Sequence, residues 1–160
     1  MSHHEETFAV DVPDDSGRAL ERLVEFYRHN GYSSTDGGDD AHRRTFVRGT
    51  AGASWWSSNM ARLKTEVTID VDDEGGHISY RVQTSGQHLT EDDRAFWEHE
   101  TMAASDYLHR RATLVDLRPA EAQRAQRVQK EYRSFGLQAA VFIVLAIVVA
   151  GVVGAHLGFL

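Results

Sequence analysis

Residues 65–84 read TEVTIDVDDEGGHISYRVQT, and this stretch decides the fold. Apolar and polar residues alternate on both sides of a central turn sequence, which is typical of strands that bury one face. The acidic and glycine-rich residues 72–76 between the two alternating runs supply the turn. The stretch therefore predicts a β-hairpin with one side open to solvent. Its inward side chains are predicted to be Thr65, Val67, Ile69, Val71, Ile78, Tyr80, Val82 and Thr84.

Two further strands are predicted upstream of the hairpin. Residues 7–12 alternate as a half-buried strand, and residues 42–48 form another short one. The polar stretch 33–41 between them predicts a loop, since it has no apolar alternation. The pair His3-His4, which precedes the strand at residues 7–12, is expected to lie in a disordered terminus, where it could bind metal only adventitiously.

Two helices complete the predicted domain. The first has apolar residues at helical spacing and ends at Asn30-Gly31, a common C-terminal cap. The second begins at Thr90, with acidic residues in its first turn, and is expected to run to about Ala112. The order β-α-β-β-β-α predicts an α+β fold of two layers, in which both helices cover one face of a mainly antiparallel four-stranded sheet.

A second stretch indicates where the protein resides. Residues 139–155 read AAVFIVLAIVVAGVVGA, with no charged side chain. As a helix rising about 1.5 Å per residue, some twenty such residues cross a bilayer core of about 30 Å. The run lacks the polar stripe of a soluble core helix. We therefore predict one C-terminal transmembrane helix and tail-anchored, single-pass topology.

Charge divides the chain into three parts. Residues 1–117 carry twelve basic and 22 acidic side chains, a net charge of −10, and are predicted to form a soluble acidic α+β domain. Residues 118–136 have a net charge of +3 and are predicted to form a basic helical connector, which leads into the transmembrane helix at 137–160. Four connector residues are expected at the membrane surface: Arg124, Arg127, Lys130 and Arg133.

The charge distribution also predicts orientation and partners. Basic residues precede the apolar run and none follows it, so the positive-inside rule places the N-terminal domain in the cytoplasm, at the bacterial inner membrane. Arginine outnumbers lysine fifteen to two, which is typical of GC-rich bacterial genomes. The acidic domain argues against nucleic acid as a partner, since phosphate recognition needs a basic face.

The apolar run carries one further pattern and one polar residue. Small residues recur every fourth position, so one helix face could pack closely against another membrane helix. We predict this helix-packing face to consist of Ala146, Ala150, Gly154 and Gly158. His156 is expected at the far membrane interface, and the alternative is a ligand to a haem, a pigment or a metal.

The adjacent Trp55 and Trp56 follow a glycine-containing segment and cannot both point into one core. In one interpretation, one of the two tryptophans is exposed and contacts a protein partner or the bilayer interface. The other reading is ordinary packing at the core edge. The sequence leaves both open.

No catalytic, metal or cofactor signature emerges from the sequence. The chain has nine histidines and no cysteine, so thiolate chemistry is excluded. The densest cluster, Glu98-His99-Glu100, does not match the HExxH zinc motif and is expected on a solvated helix face. We expect no bound cofactor and no enzymatic activity.

The sequence therefore predicts an accessory or scaffold subunit of a larger membrane complex, of which a bacterial respiratory or photosynthetic complex is one host that fits. Its partners would be integral membrane subunits, reached through the transmembrane helix, and the bilayer. The alternative is a membrane-tethered binding module that holds a lipid or another small apolar ligand.

Overall fold

The computed structural model describes residues 3–13, 16–35, 42–50, 58–72, 75–84 and 88–130. Within these ranges, the chain forms a five-stranded sheet in which all neighbouring strands run antiparallel. The spatial order is β1-β5-β4-β3-β2, so the first strand lies at one edge beside the last. The strands are β1 (His3–Val10), β2 (Ser33–Ser34), β3 (Arg43–Arg48), β4 (Thr65–Val71) and β5 (Gly76–Gln83).

The described residues form three helices. They are α1 (Ser16–His29), α2 (Glu91–Leu108) and α3 (residues 118–130), with one 3-10 turn (Met60–Arg62) between β3 and β4. The apolar side chains of α1 and α2 lie on one face of the sheet and join the inward residues of β3, β4 and β5 in one core. The opposite face of the sheet remains polar, as Thr68 and Ser79 at its centre illustrate.

The predicted hairpin is confirmed as β4 and β5. Ile69 pairs with Ile78 and Val67 pairs with Tyr80, and all four side chains are buried. The turn is closed by Asp72, whose backbone N–H donates to the carbonyl oxygen of Gly75. The alternation read from the sequence therefore identified the buried face correctly.

The α+β class and the antiparallel sheet are confirmed, but the prediction of four strands is wrong. The fifth strand, β2, lies inside the stretch predicted as a loop. It is only two residues long, and Ser33 pairs with Val47 through the backbone, so no apolar alternation marks it. The sheet also begins earlier than expected, because His3 pairs with Gln83 rather than lying in a disordered terminus.

The helix ends follow from local chemistry. Gly31 adopts φ +83° after α1, as the predicted cap requires. Thr90 and Asp93 form a reciprocal capping box at the start of α2. The helix ends at Leu108 rather than near Ala112, since Arg110 takes a left-handed φ of 59° and terminates it.

The predicted transmembrane helix, residues 137–160, lies outside the described ranges and remains a prediction. Within those ranges, no helix has both the length and the apolar character needed to cross a bilayer.

Candidate functional site

The structure describes only some of the predicted site residues. Arg124, Arg127 and Lys130 lie on α3. The remaining ones fall outside the described ranges, and their predicted roles stay predictions: Trp55, Trp56, Arg133, Ala146, Ala150, Gly154, His156 and Gly158.

The most informative contact joins α3 to the head. The carboxylate of Glu121 is 3% exposed and accepts a hydrogen bond of 2.8 Å from the backbone N–H of Met60. Met60 begins the 3-10 turn, so this N–H has no helical partner of its own and needs an acceptor. One turn later, Ala125 is also buried. The first turns of the predicted connector are therefore docked on the domain.

Arg124 completes this contact. Its guanidinium forms ion pairs with Glu121 at 2.8 Å and with Asp93 of α2 at 3.0 Å. It also donates to the carbonyl oxygen of Ser58, the residue that follows the undescribed segment 51–57. The hydrogen bond to Glu121 raises the pKa of Arg124, which keeps the side chain charged. Arg124 thus contacts α2 and the segment before the 3-10 turn, whereas Arg127 and Lys130 are exposed.

Asn30 forms a second attachment just before α3. This fully buried amide donates to the carbonyl oxygen of Val115 at 3.1 Å and accepts from the backbone N–H of Leu117 at 2.9 Å. Arg118 then donates to the carbonyl oxygen of His29. The Asn30 side chain thus provides hydrogen-bond partners for the backbone of residues 115–117, which belong to no helix or strand, and holds this segment in place.

We call these contacts the stalk joint, defined by Asn30, Met60, Asp93, Glu121 and Arg124. It connects the C-terminal end of α1, the 3-10 turn and the start of α2 to α3.

The stalk joint continues into the core through Arg48. This side chain is 4% exposed and donates to the carbonyl oxygen of Asn30 at 3.3 Å and to Glu100 at 2.6 Å. The guanidinium lies over the ring of Tyr32, with 4.1 Å between Cζ and the ring centroid. The hydroxyl of Tyr32 donates to the other oxygen of Glu100 at 2.8 Å. The carboxylate is thus satisfied at both oxygens, as a buried charge requires.

The position of Glu100 corrects the sequence interpretation. Glu98 and His99 are exposed as expected, but Glu100 is fully buried, so a wholly solvated face is wrong. The spacing of apolar residues along α2 could have predicted that Glu100 is buried. Glu100 lies four residues before Ala104 and eight before Leu108, inside the buried stripe of the helix. Its partner Arg48 lies far away in sequence, so the pair was not visible from spacing alone.

Three buried tyrosines, Tyr27, Tyr32 and Tyr80, surround the ion pair and form the tyrosine group. The hydroxyls of Tyr27 and Tyr80 are 2.6 Å apart, and Thr101 donates to Tyr80 at 3.2 Å. Burial raises the pKa of all three phenols, and the negative charge of Glu100 raises them further. They therefore remain neutral hydrogen-bonding groups within the core.

The chemistry of this arrangement is structural and orienting. Arg48, Glu100 and the tyrosine group link β3, β5, α1 and α2, while the stalk joint extends the same network to α3. Nε and Nη2 of Arg48 have no hydrogen-bond partner in the part of the chain that the structure describes. Across the described residues, no group of three or more His, Cys, Asp or Glu side chains could hold a metal ion.

In comparisons with protein-family models, with curated proteins and with solved structures, nothing matches this chain.

Proposed function

We propose that this protein is a C-terminally anchored, non-enzymatic docking subunit of a larger bacterial membrane assembly. Its acidic head would lie on the cytoplasmic side of the inner membrane, and its apolar segment would pack against integral membrane subunits. The stalk joint is the observation that carries this proposal. A head held to its stalk by buried hydrogen bonds presents one fixed surface to a partner, whereas a tether that only limits diffusion needs no such contact.

The energetics support a rigid connection. Glu121 is buried and accepts from a backbone donor, so separation of α3 would lose a hydrogen bond to a charged group, which contributes about 1.5–3 kcal/mol. Arg124 adds ion pairs to two carboxylates that are themselves at most 14% exposed. Together these contacts favour the docked state of α3. The direction of the head relative to residue 130 would then be set by the domain itself.

A linker insertion tests the proposal. Seven Gly and Ser residues inserted after Lys130 should free the head from the apolar segment, whereas a helix-forming heptad at the same place nearly preserves the helix phase. We expect large partners to co-purify in mild detergent with the intact chain, at stoichiometric amounts by mass spectrometry. The flexible insertion should lose them to a greater extent than the helical one. Equal recovery with both insertions, or no partner with the intact chain, would contradict a docking subunit.

Orientation requires its own test. Protease added to sealed spheroplasts should leave the head intact, because the basic residues precede the apolar segment. Lysis before protease treatment is the control, and it should expose the head to cleavage. Digestion of the head in sealed spheroplasts would overturn the cytoplasmic placement.

A further inference from the structure

Among the described strands, β1 forms one edge of the sheet. β1 is eight residues long and pairs only with β5 among the described strands. In an antiparallel edge strand, every second residue directs its backbone N–H and C=O groups away from the sheet. Those groups can hydrogen-bond to another extended chain. Proteins usually protect such edges, and this one has neither a proline nor a lysine along β1.

A groove runs beside this edge, between β1 and α2. It has a volume of about 480 Å³. Its apolar lining comes from Phe8 on the strand and Ala95 on the helix, both half-buried. A helix lying alongside an open strand edge leaves room for one further strand, the arrangement by which several peptide-binding domains add an extended ligand to a sheet.

The net negative charge of the groove favours a basic ligand. Among the described residues, three carboxylates line it, from Glu6, Glu91 and Glu98, against the single guanidinium of Arg94. Glu91 and Glu98 are exposed on the helix side. Side chains of an added strand alternate between the two faces, so every second one would face this groove. Lysine or arginine at those positions could lay its aliphatic part on Phe8 and direct its charge to the carboxylates.

We propose that the groove between β1 and α2 binds an extended basic protein segment, which adds a sixth strand to the sheet beside β1. This inference rests on the proposed docking function and describes the chemistry of the partner. The backbone of β1 supplies the affinity common to all extended chains. The carboxylates of the groove supply the preference for a segment with a basic residue at every second position.

A second copy of this chain fits the same edge less well. The strand reads HHEETFAV, with two glutamates and no lysine or arginine. Antiparallel pairing of two such strands about Glu6, near the middle of the strand, would place the Glu6 side chains of both copies opposite one another, and like charges in that position destabilise a sheet.

The test measures binding of a labelled synthetic peptide to the full chain in neutral phosphatidylcholine nanodiscs. The peptide alternates lysine and threonine over the length of β1, and fluorescence anisotropy reports binding. Neutral lipid prevents the peptide from binding the membrane by charge alone. We expect saturable binding that weakens as salt is raised. An alternating glutamate and threonine peptide should not bind.

Two matched comparisons separate the groove from general attraction to an acidic protein. Glu98→Lys should weaken binding about tenfold, equivalent to about 1.4 kcal/mol, whereas Asp106→Lys on the same helix should change it less than about twofold. The basic peptide N-methylated at alternate residues should lose binding, because it cannot complete the strand pairing. Circular dichroism checks that both variants fold.

Each contrary outcome is decisive. Equal weakening by both substitutions would mean nonspecific charge attraction, and undiminished binding of the N-methylated peptide would exclude strand addition. Concentration-dependent dimerisation that protects the β1 amides from hydrogen exchange would replace the peptide with a second copy. All three results overturn the proposal. Failure of the protease or linker tests with peptide binding intact would overturn only the proposed membrane role.

Discussion

Removing the carboxylate of Glu121 should weaken the contact between α3 and the head and destabilise the fold. In the structure this carboxylate accepts the backbone N–H of Met60 and pairs with Arg124. Glu121→Ala leaves the buried N–H unsatisfied, which costs about 1–3 kcal/mol. The ion pair with Arg124 adds less than about 1 kcal/mol, since the arginine keeps Asp93 as a partner and is 28% exposed. The expected loss in free energy of unfolding is about 2 kcal/mol.

The measurement is urea unfolding of a fragment ending at residue 130, followed by circular dichroism. Glu121→Gln keeps an acceptor oxygen for Met60 and should lose only about 1 kcal/mol. Gln126→Ala, at an exposed position of the same helix, should stay within about 0.5 kcal/mol of the parent. These three variants together separate the hydrogen bond from helix propensity.

A fragment ending at residue 117, the predicted domain boundary, extends the same test. It lacks the whole of α3, including the buried Ala125, and should be about 3 kcal/mol less stable than the fragment ending at residue 130. Equal stability of the two fragments, or an unaffected Glu121→Ala variant, would refute the reasoning. The stalk joint would then contribute nothing, and the fixed orientation of the head would lose its basis.

Four further predictions concern the core and the apolar segment. Glu100→Gln should lower the free energy of unfolding by about 3–5 kcal/mol in urea titrations, because it leaves a buried arginine uncompensated. The three phenols of the tyrosine group have raised pKa values in the folded state. Their contribution to stability is therefore complete below the ordinary tyrosine pKa of about 10 and is lost as pH rises further. Tyrosinate absorbance of these three residues should appear together with loss of the circular dichroism signal. Gly49→Ala should cost about 2 kcal/mol or more in thermal and urea unfolding, because φ is +79° and the new methyl group would overlap the carbonyl oxygen of Leu63. Gly154→Leu should weaken association with a partner membrane helix by about 1–2 kcal/mol in pull-downs from membranes, whereas Val148→Leu should not, and equal retention would show that the small-residue spacing is coincidental.

Much of the fold could be predicted because its signals are local. The hairpin was visible because alternation along β4 and β5 directly reports a buried face, as Val67 and Tyr80 illustrate. Helix caps such as Gly31 and Thr90 are likewise local, since the residue type and the backbone geometry belong to the same position. The two-residue strand β2 could not be found this way, because backbone pairing alone holds it and any residue type can provide that.

The candidate site could be predicted only in part, because it consists of long-range pairs. Glu121 was counted as one charge of a basic connector, yet its partner is a backbone N–H sixty-one residues away. The sequence gives no indication that Arg48 and Glu100 form an ion pair, because their pairing depends on how β3 packs against α2 in the fold. A charged residue at a position of an apolar helical stripe is the general signal for such a pair, and Glu100 provides it.

The position of β1 determines the order in which this protein can assemble during synthesis. Among the described strands, β1 leaves the ribosome first and pairs only with β5, so His3 must wait until Gln83 has emerged. By then α1 and the strands β2 to β4 have already been made. Closing so long a loop is entropically unfavourable until the rest of the sheet is in place to receive the strand. The N-terminal strand is therefore expected to be the last strand to join the sheet, and a nascent chain stalled before β5 would expose both β1 and the uncovered edge of β4.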